Sequence, residues 1–145
     1  MSSEDNQALV RRFFEAYNQM DEHAFQEILS PDYTCHVGGL PEPLVGLAAN
    51  MAAEAGMRAA FSDPHWTIED IFASGDKVVV RRTWRLTHSG SFQGVPPSGR
   101  TLTGTGIDIF RVEAGQLVEQ WTESDNLSFM QQLGALPAGE REPGL

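Results

Sequence analysis

Apolar side chains recur between residues 4 and 19 at Leu9, Val10, Phe13, Phe14 and Tyr17, one broad helical stripe, with Arg11, Arg12 and Glu15 on the opposite face. Asp21 is placed to cap a second, short helix running to residue 29, whose buried side is Ala24, Phe25, Ile28 and Leu29. Ser30-Pro31-Asp32 ends it, because proline cannot continue the hydrogen-bond ladder. Residues 33–37 alternate and read as a strand, followed by a loop rich in glycine and proline. Residues 47–61 are rich in alanine and methionine and read as a third helix, closed by Asp63-Pro64.

From there the period changes to two. Strands are expected over 65–73, 77–88, 101–112 and 117–124, with a long excursion SGSFQGVPPSGR before Thr101 and a tight turn at Ala114-Gly115. A last helix carries Leu127, Met130 and Leu133. Helices first and antiparallel strands afterwards predict an α+β fold, a curved sheet with helices packed on one face and a pocket between them. Gly104 and Gly106 are expected to permit the bends. Residues 1–135 are assigned to one domain and 136–145 to a flexible tail.

A two-residue loop at Ala114-Gly115 pairs Glu113 with Gln116, so paired residue numbers sum to 229 and Asp108 faces Trp121. This register puts Asp108, Phe110 and Val112 on one face with Leu117, Glu119, Trp121, Glu123 and Asp125. An apolar body with a few carboxylates is the composition of a ligand pocket. The competing choice makes Ile107, Ile109 and Val118 the core face and leaves the acids in water. On strand 77–88, Val80, Arg82, Trp84, Leu86 and His88 form the pocket-like set, with His88 at its mouth or merely at a strand end. His36 falls on the Thr34 side of its strand, away from Tyr33, Cys35 and Val37, as a candidate proton acceptor or an ordinary exposed histidine. Cys35 reads as a small buried hydrophobe rather than a nucleophile.

Charge narrows the partners. Twenty acidic residues against ten Lys and Arg give a net charge of -10, which disfavours nucleic acid and anionic membranes. Hydrophobic residues at 41% suffice for a core, no apolar run is long enough to span a bilayer, and the start MSSEDNQ has no leader pattern, so a cytoplasmic protein is expected. The four histidines and one cysteine have no metal-ligand spacing, and no nucleophile elbow, phosphate loop or dinucleotide fingerprint occurs. No metal and no cofactor are expected, which leaves proton transfer by carboxylates and histidine.

Three stretches, ALVRRFFEAYNQMDEHAFQEILSPDYTCHV, THSGSFQGVPPSGRTLTGTGIDIFRVEAGQLVEQW and SDNLSFMQQLGAL, resemble the SnoaL-like polyketide cyclases, or ester cyclases, over about residues 8–135. The resemblance implies the cone fold of nuclear transport factor-like and ketosteroid isomerase-like proteins, a curved mixed sheet on three helices, and an intramolecular aldol condensation without cofactor. It assigns a general acid/base to the position of Asp125. Where that family has a catalytic histidine on the preceding strand, this chain has Asp108, and residues 101–125 contain no histidine. Related cone-fold enzymes place a base on the strand where His36 stands. The expected catalytic set is therefore Asp125, Asp108 and His36, with Trp84, Phe110, Trp121, Arg82 and His88 around a flat hydrophobic, polyketide-like molecule. A homodimer or higher homo-oligomer is expected. Two other readings are a ligand-binding protein without catalysis and an epoxide hydrolase built on Asp108, Arg82 and Asp125.

Overall fold

The computed structural model describes residues 2–137; the tail expected over 136–145 lies outside the described residues from 138 onward. Helix α1 (Ser3–Gln19) begins at Ser2, whose hydroxyl accepts from the Asp5 amide while the Asp5 carboxylate accepts from the Ser2 amide. It ends at Met20 in the left-handed conformation. Helix α2 (Glu22–Ile28) starts at the expected Asp21 cap. Their apolar stripes, including Val10, Phe13, Phe14, Phe25 and Ile28, are buried in the main core.

Strand β1 (Leu29–Val37) starts four residues earlier than the alternation predicts. An irregularity between Leu29 and Thr34 accommodates Pro31, which has no amide to give to the ladder. A two-residue strand β2 (Leu44–Val45), inside the expected loop, pairs with β1. Helix α3 (Leu47–Ala60) then leads without a loop into β3 (Phe61–Ser74). Asp63-Pro64 therefore does not separate helix from strand. It sits in a bulge between Ser62 and His65, with Asp63 at φ 52°. Strands β4 (Lys77–His88), β5 (Thr101–Glu113) and β6 (Gln116–Ser124) follow as expected, and α4 (Asn126–Leu133) closes the described chain.

The six strands form one open, curved sheet in the order β2-β1-β6-β5-β4-β3, antiparallel except for the parallel pair β1–β6. The mixed α+β architecture is the one expected, and the barrel does not close. The inner face carries two apolar cores. One lies beneath α1 and α2 and includes Val78, Val80, Phe110 and Leu117. The other gathers Phe61, Trp84, Leu86, Leu102 and Leu133. Gly104 and Gly106 serve these cores by close approach. A Cβ on Gly104 would stand 2.2 Å from the Trp84 ring, and one on Gly106 2.7 Å from the Arg82 guanidinium.

The register is where expectation and structure part. Glu113 pairs with Gln116 and Val112 with Leu117, in the 229 register, but Arg111 then pairs with Glu119 and Asp108 with Thr122. Val118 is the extra residue of a bulge, and beyond it the numbers sum to 230. One inserted residue turns every later side chain of β6 to the other face. Asp108 and Phe110 do face inward as expected, but their neighbours on β6 are Gln120, Thr122 and Ser124. Glu119, Trp121 and Glu123 point outward.

Candidate active site

A cavity of about 410 Å³ lies between the inner face of the sheet, α1, α2 and α3. That size falls in the ordinary range of small-molecule sites. Phe13, Phe25, Leu29, Val37, Leu44, Met51 and Trp66 supply its apolar wall. The polar groups collect at two places, one on the sheet and one on α3.

On the sheet, alternation along β4 and β5 brings Arg82 and Asp108 to the inner face. Arg82 is 5% exposed and Asp108 0%. Arg82 Nε donates to Asp108 Oδ2 at 2.5 Å, and its Nη2 donates to Thr122 Oγ1 and Ser124 Oγ at 3.0 Å each. The guanidinium carbon lies 4.7 Å from the centre of the Trp66 ring. Nη1 is buried and has no hydrogen-bond partner. Gln120 Nε2 donates to Asp108 Oδ1 at 3.1 Å, and the Tyr33 hydroxyl donates to Gln120 Oε1. Both Asp108 oxygens are thus engaged, so the carboxylate holds Arg82 and Gln120 in place. Burial, with Cys35 and Asp108 nearby, raises the Tyr33 hydroxyl well above its usual pKa. Burial likewise pushes the Cys35 thiol up to about 12, so it remains a neutral apolar wall, in keeping with its expected role.

On α3, Asn50, Glu54 and Arg58 recur every fourth residue and share a face. Asn50 Nδ2 donates to the carbonyls of Tyr33, Leu44 and Gly46 at 2.8–3.1 Å, fastening the helix start to β1 and β2. One turn on, Glu54 accepts the Tyr17 hydroxyl and lies 3.5 Å from Arg58. Burial raises the Glu54 carboxyl above its ordinary pKa, against the lowering influence of Tyr17 and Arg58.

Of the eight residues singled out in the sequence, Arg82 and Asp108 meet in this cavity, and six stand elsewhere. Phe110 is fully buried and packs edge-on to Phe13 and Phe14, behind the cavity wall. Trp84 and His88 are buried in or against the second core, Trp84 against Phe129 and His88 against Phe61, with Ser98 at His88 Nδ1. His88 is therefore not at a mouth. Trp121 is on the outer face, stacked on His36 at 5.3 Å. His36 is half-exposed and its Nε2 meets Glu119 Oε2 at 2.7 Å, outside the cavity. Asp125 is an exposed helix cap whose Oδ1 accepts the Ser128 amide at 3.0 Å. The expected pocket uniting Asp108, Phe110, Trp121, Asp125 and Trp84 is not formed: the bulge at Val118 turns Trp121 outward, Asp125 caps α4, Phe110 lies behind the wall and Trp84 packs in the second core. The Asp-Arg-Asp set of the epoxide reading is not assembled, because Asp125 is not with Arg82.

Sequence reasoning missed Tyr17, Tyr33, Glu54 and Gln120. Gln120 was hidden by the register slip. Glu54 did carry a signal: with Asn50 and Arg58 it forms a polar row at helical spacing on an otherwise apolar helix. Among the described residues no three His, Cys, Asp or Glu side chains are gathered where they would hold a metal ion, and no helix is long and apolar enough to cross a membrane.

Known proteins share both sequence and shape with this chain. It is 32% identical over 133 residues to the aklanonic acid methyl ester cyclase DauD of Streptomyces sp. (strain C5), spanning 87% of this chain and 80% of that one. It is 31% identical over 130 residues to the aklanonic acid methyl ester cyclase DnrD of Streptomyces peucetius, spanning 87% and 88%. Among solved structures, IdmH of Streptomyces antibioticus, a candidate polyketide cyclase, superposes with a TM-score of 0.80 at 33% identity over 89% of this chain and 98% of that one. AclR of Streptomyces galilaeus, a candidate hydroxylase, gives a TM-score of 0.86 at 27% identity over 97% and 87%. The sequence profile of the SnoaL-like polyketide cyclases matches residues 7–133, and the chain belongs to that family.

Proposed function

We propose that the chain catalyses a cofactor-independent, intramolecular aldol ring closure of a hydrophobic keto ester, the polyketide-like class named by its cyclase relatives. One observation carries this reading: Arg82, a buried cation whose Nη1 has no protein partner, lines a mostly apolar cavity. A fixed cation in a dry site stabilises negative charge far better than one in water. When a proton leaves the carbon beside the substrate carbonyl, the electron pair moves onto the carbonyl oxygen. In this reading the Arg82 guanidinium, which lines the cavity, offsets the charge on that oxygen. The enolate carbon then attacks a second carbonyl of the same molecule, the new carbon–carbon bond closes the ring, and the alkoxide takes up a proton. Asp108, Thr122 and Ser124 keep the guanidinium from turning away. The aromatic wall of Phe13, Phe25 and Trp66 suits a flat, largely apolar body.

The test is ring closure of aklanonic acid methyl ester, followed as conversion to a product of unchanged mass. Arg82→Gln/Asp108→Asn removes both charges together and keeps hydrogen-bonding groups in place. It should lower kcat by about a hundred- to a thousand-fold, the usual loss for one oxyanion donor. Binding without conversion by the wild-type protein would instead support a ligand carrier. Self-association belongs to the same reading. The outer sheet face exposes Phe72 and Ile107, and light scattering on the purified protein measures its oligomeric state.

A further inference from the structure

The ring closure just described requires a group that removes a proton from carbon and delivers one to oxygen. Asp108 is fully buried and both its oxygens are committed, to Arg82 and Gln120. Among the described residues, the other carboxylate lining the cavity is Glu54. Its side chain is 16% exposed, so it is sheltered yet reachable. It also borders a second recess of about 770 Å³ between α2 and α3, which shares Phe25, Met51 and Glu54 with the cavity. Glu54 therefore stands in the partition between the apolar cavity and an opening toward solvent.

We propose that Glu54 is the proton carrier of this cavity, taking the substrate α-proton and returning it to the ring-closure alkoxide, with Tyr17 as its positioning residue. This rests on the ring-closure reading of the cavity. The step balances. The carbon–hydrogen bond breaks, the proton goes to a Glu54 oxygen, and the electron pair goes to the oxygen facing Arg82. After the carbon–carbon bond forms, the Glu54 proton passes to the alkoxide and the carboxylate is restored.

The surroundings suit the task. Tyr17 from α1 donates its hydroxyl to Glu54 Oε2, which fixes the carboxylate and leaves further lone pairs free. Arg58, one turn along α3, lies beside Oε1, and its Nε and Nη2 are buried without hydrogen-bond partners, so the pair is loosely joined. Glu22 from α2 lines the solvent recess, and Tyr33, Arg82 and Asp108 face the cavity from the sheet. Burial raises the carboxyl above its usual range, toward the working pH that favours a general base.

Glu54→Gln keeps the volume and an acceptor for Tyr17 but cannot take a proton. With aklanonic acid methyl ester as the probe, kcat and the rate of deuterium uptake from heavy water at the α-carbon should both fall about a hundred- to ten-thousand-fold. The dissociation constant should hold, and the melting temperature should match wild type below about pH 4.5, where Glu54 is protonated in both folded and unfolded states. In wild type the acidic limb of the kcat profile should lie above the ordinary carboxylate range. Tyr17→Phe removes a hydrogen bond that lowers the Glu54 pKa, so that limb should move to higher pH, and in Glu54→Gln it should vanish. A second readout needs no substrate. A carboxyl raised on folding makes the native state bind more protons above about pH 4.5, so stability should fall as pH rises through the window up to the raised value. Glu54→Gln should flatten that slope. Full kcat and exchange in Glu54→Gln, with loss confined to the Arg82→Gln/Asp108→Asn variant, would overturn the role of Glu54 and leave the ring-closure reading standing. A wild-type protein that binds the ester but neither closes nor exchanges it would overturn both.

Discussion

On the outer face of the sheet, His36 of β1, Glu119 of β6 and Arg111 of β5 form a chain of polar contacts open to water, with Arg111 Nε 3.0 Å from Glu119 and Trp121 stacked on the histidine. On the inner face of the same sheet, Asp108 meets Arg82 and Gln120 out of reach of water. The groups are similar in kind; the dielectric is not. Exposed pairs are screened and contribute little, whereas a buried ion left without its partner retains the whole cost of its desolvation. The outer cluster therefore decorates the sheet, and the inner one both constrains the fold and presents a cation to the cavity.

The largest expected effect comes from breaking the inner pair. Asp108→Ala strands Arg82 in an apolar setting and should cost about 3–5 kcal/mol of unfolding free energy, measured by urea titration. Next comes Gly106→Ala. Its new Cβ would meet the Arg82 guanidinium at 2.7 Å, and that group is pinned by Asp108, Thr122 and Ser124. Overpacking of this kind should cost about 1–3 kcal/mol by the same titration and lower turnover with it. A Gly106→Ala protein as stable as wild type would show that Arg82 is free to move.

The outer face should respond least. His36→Ala should change stability by about 0–1 kcal/mol at neutral pH. The hydrogen bond from His36, aided by Arg111, holds the Glu119 carboxyl below its ordinary value of 4.5. A depressed carboxylate contributes its stability above pH 4.5 and loses it as pH falls through the lower folded value. The acid-side difference between wild type and His36→Ala should therefore shrink below that pH. A loss of several kcal/mol at pH 7 would erase the contrast between the two faces.

The comparison also shows what the sequence could convey. The alternation Val80, Arg82, Trp84, Leu86, His88 identified the buried face of β4 without error, because apolar period two is a strong signal on a half-buried strand. It identified Asp108 and Phe110 as inward for the same reason. It could not show the bulge at Val118, since an extra residue in a ladder leaves no compositional mark. From that residue on, Trp121, expected inward, faces outward, and Gln120 takes its place on the inner face. Asp125 was misplaced along with them, and its short side chain serves the α4 cap. Trp84 and His88 face inward as expected, yet the inner face is long enough to hold two cores, and they belong to the one without the cavity. The Asn50, Glu54, Arg58 row was legible in principle, but a helix rich in alanine and methionine invites attention to its apolar side.

Ring closure as proposed takes place on the inner face, away from His36 and Asp125. The most direct measurement is kcat for ring closure of aklanonic acid methyl ester by a His36→Ala/Asp125→Asn double variant, alongside its melting temperature. Asparagine caps a helix as well as aspartate, so the fold should be kept. Chemistry on the inner face predicts a kcat within about two-fold of wild type, the size of a ~0.5 kcal/mol perturbation. A fall of about a hundred-fold or more at an unchanged melting temperature, the loss expected on removing a general acid or base, would place the reaction at Asp125 or His36 and contradict it.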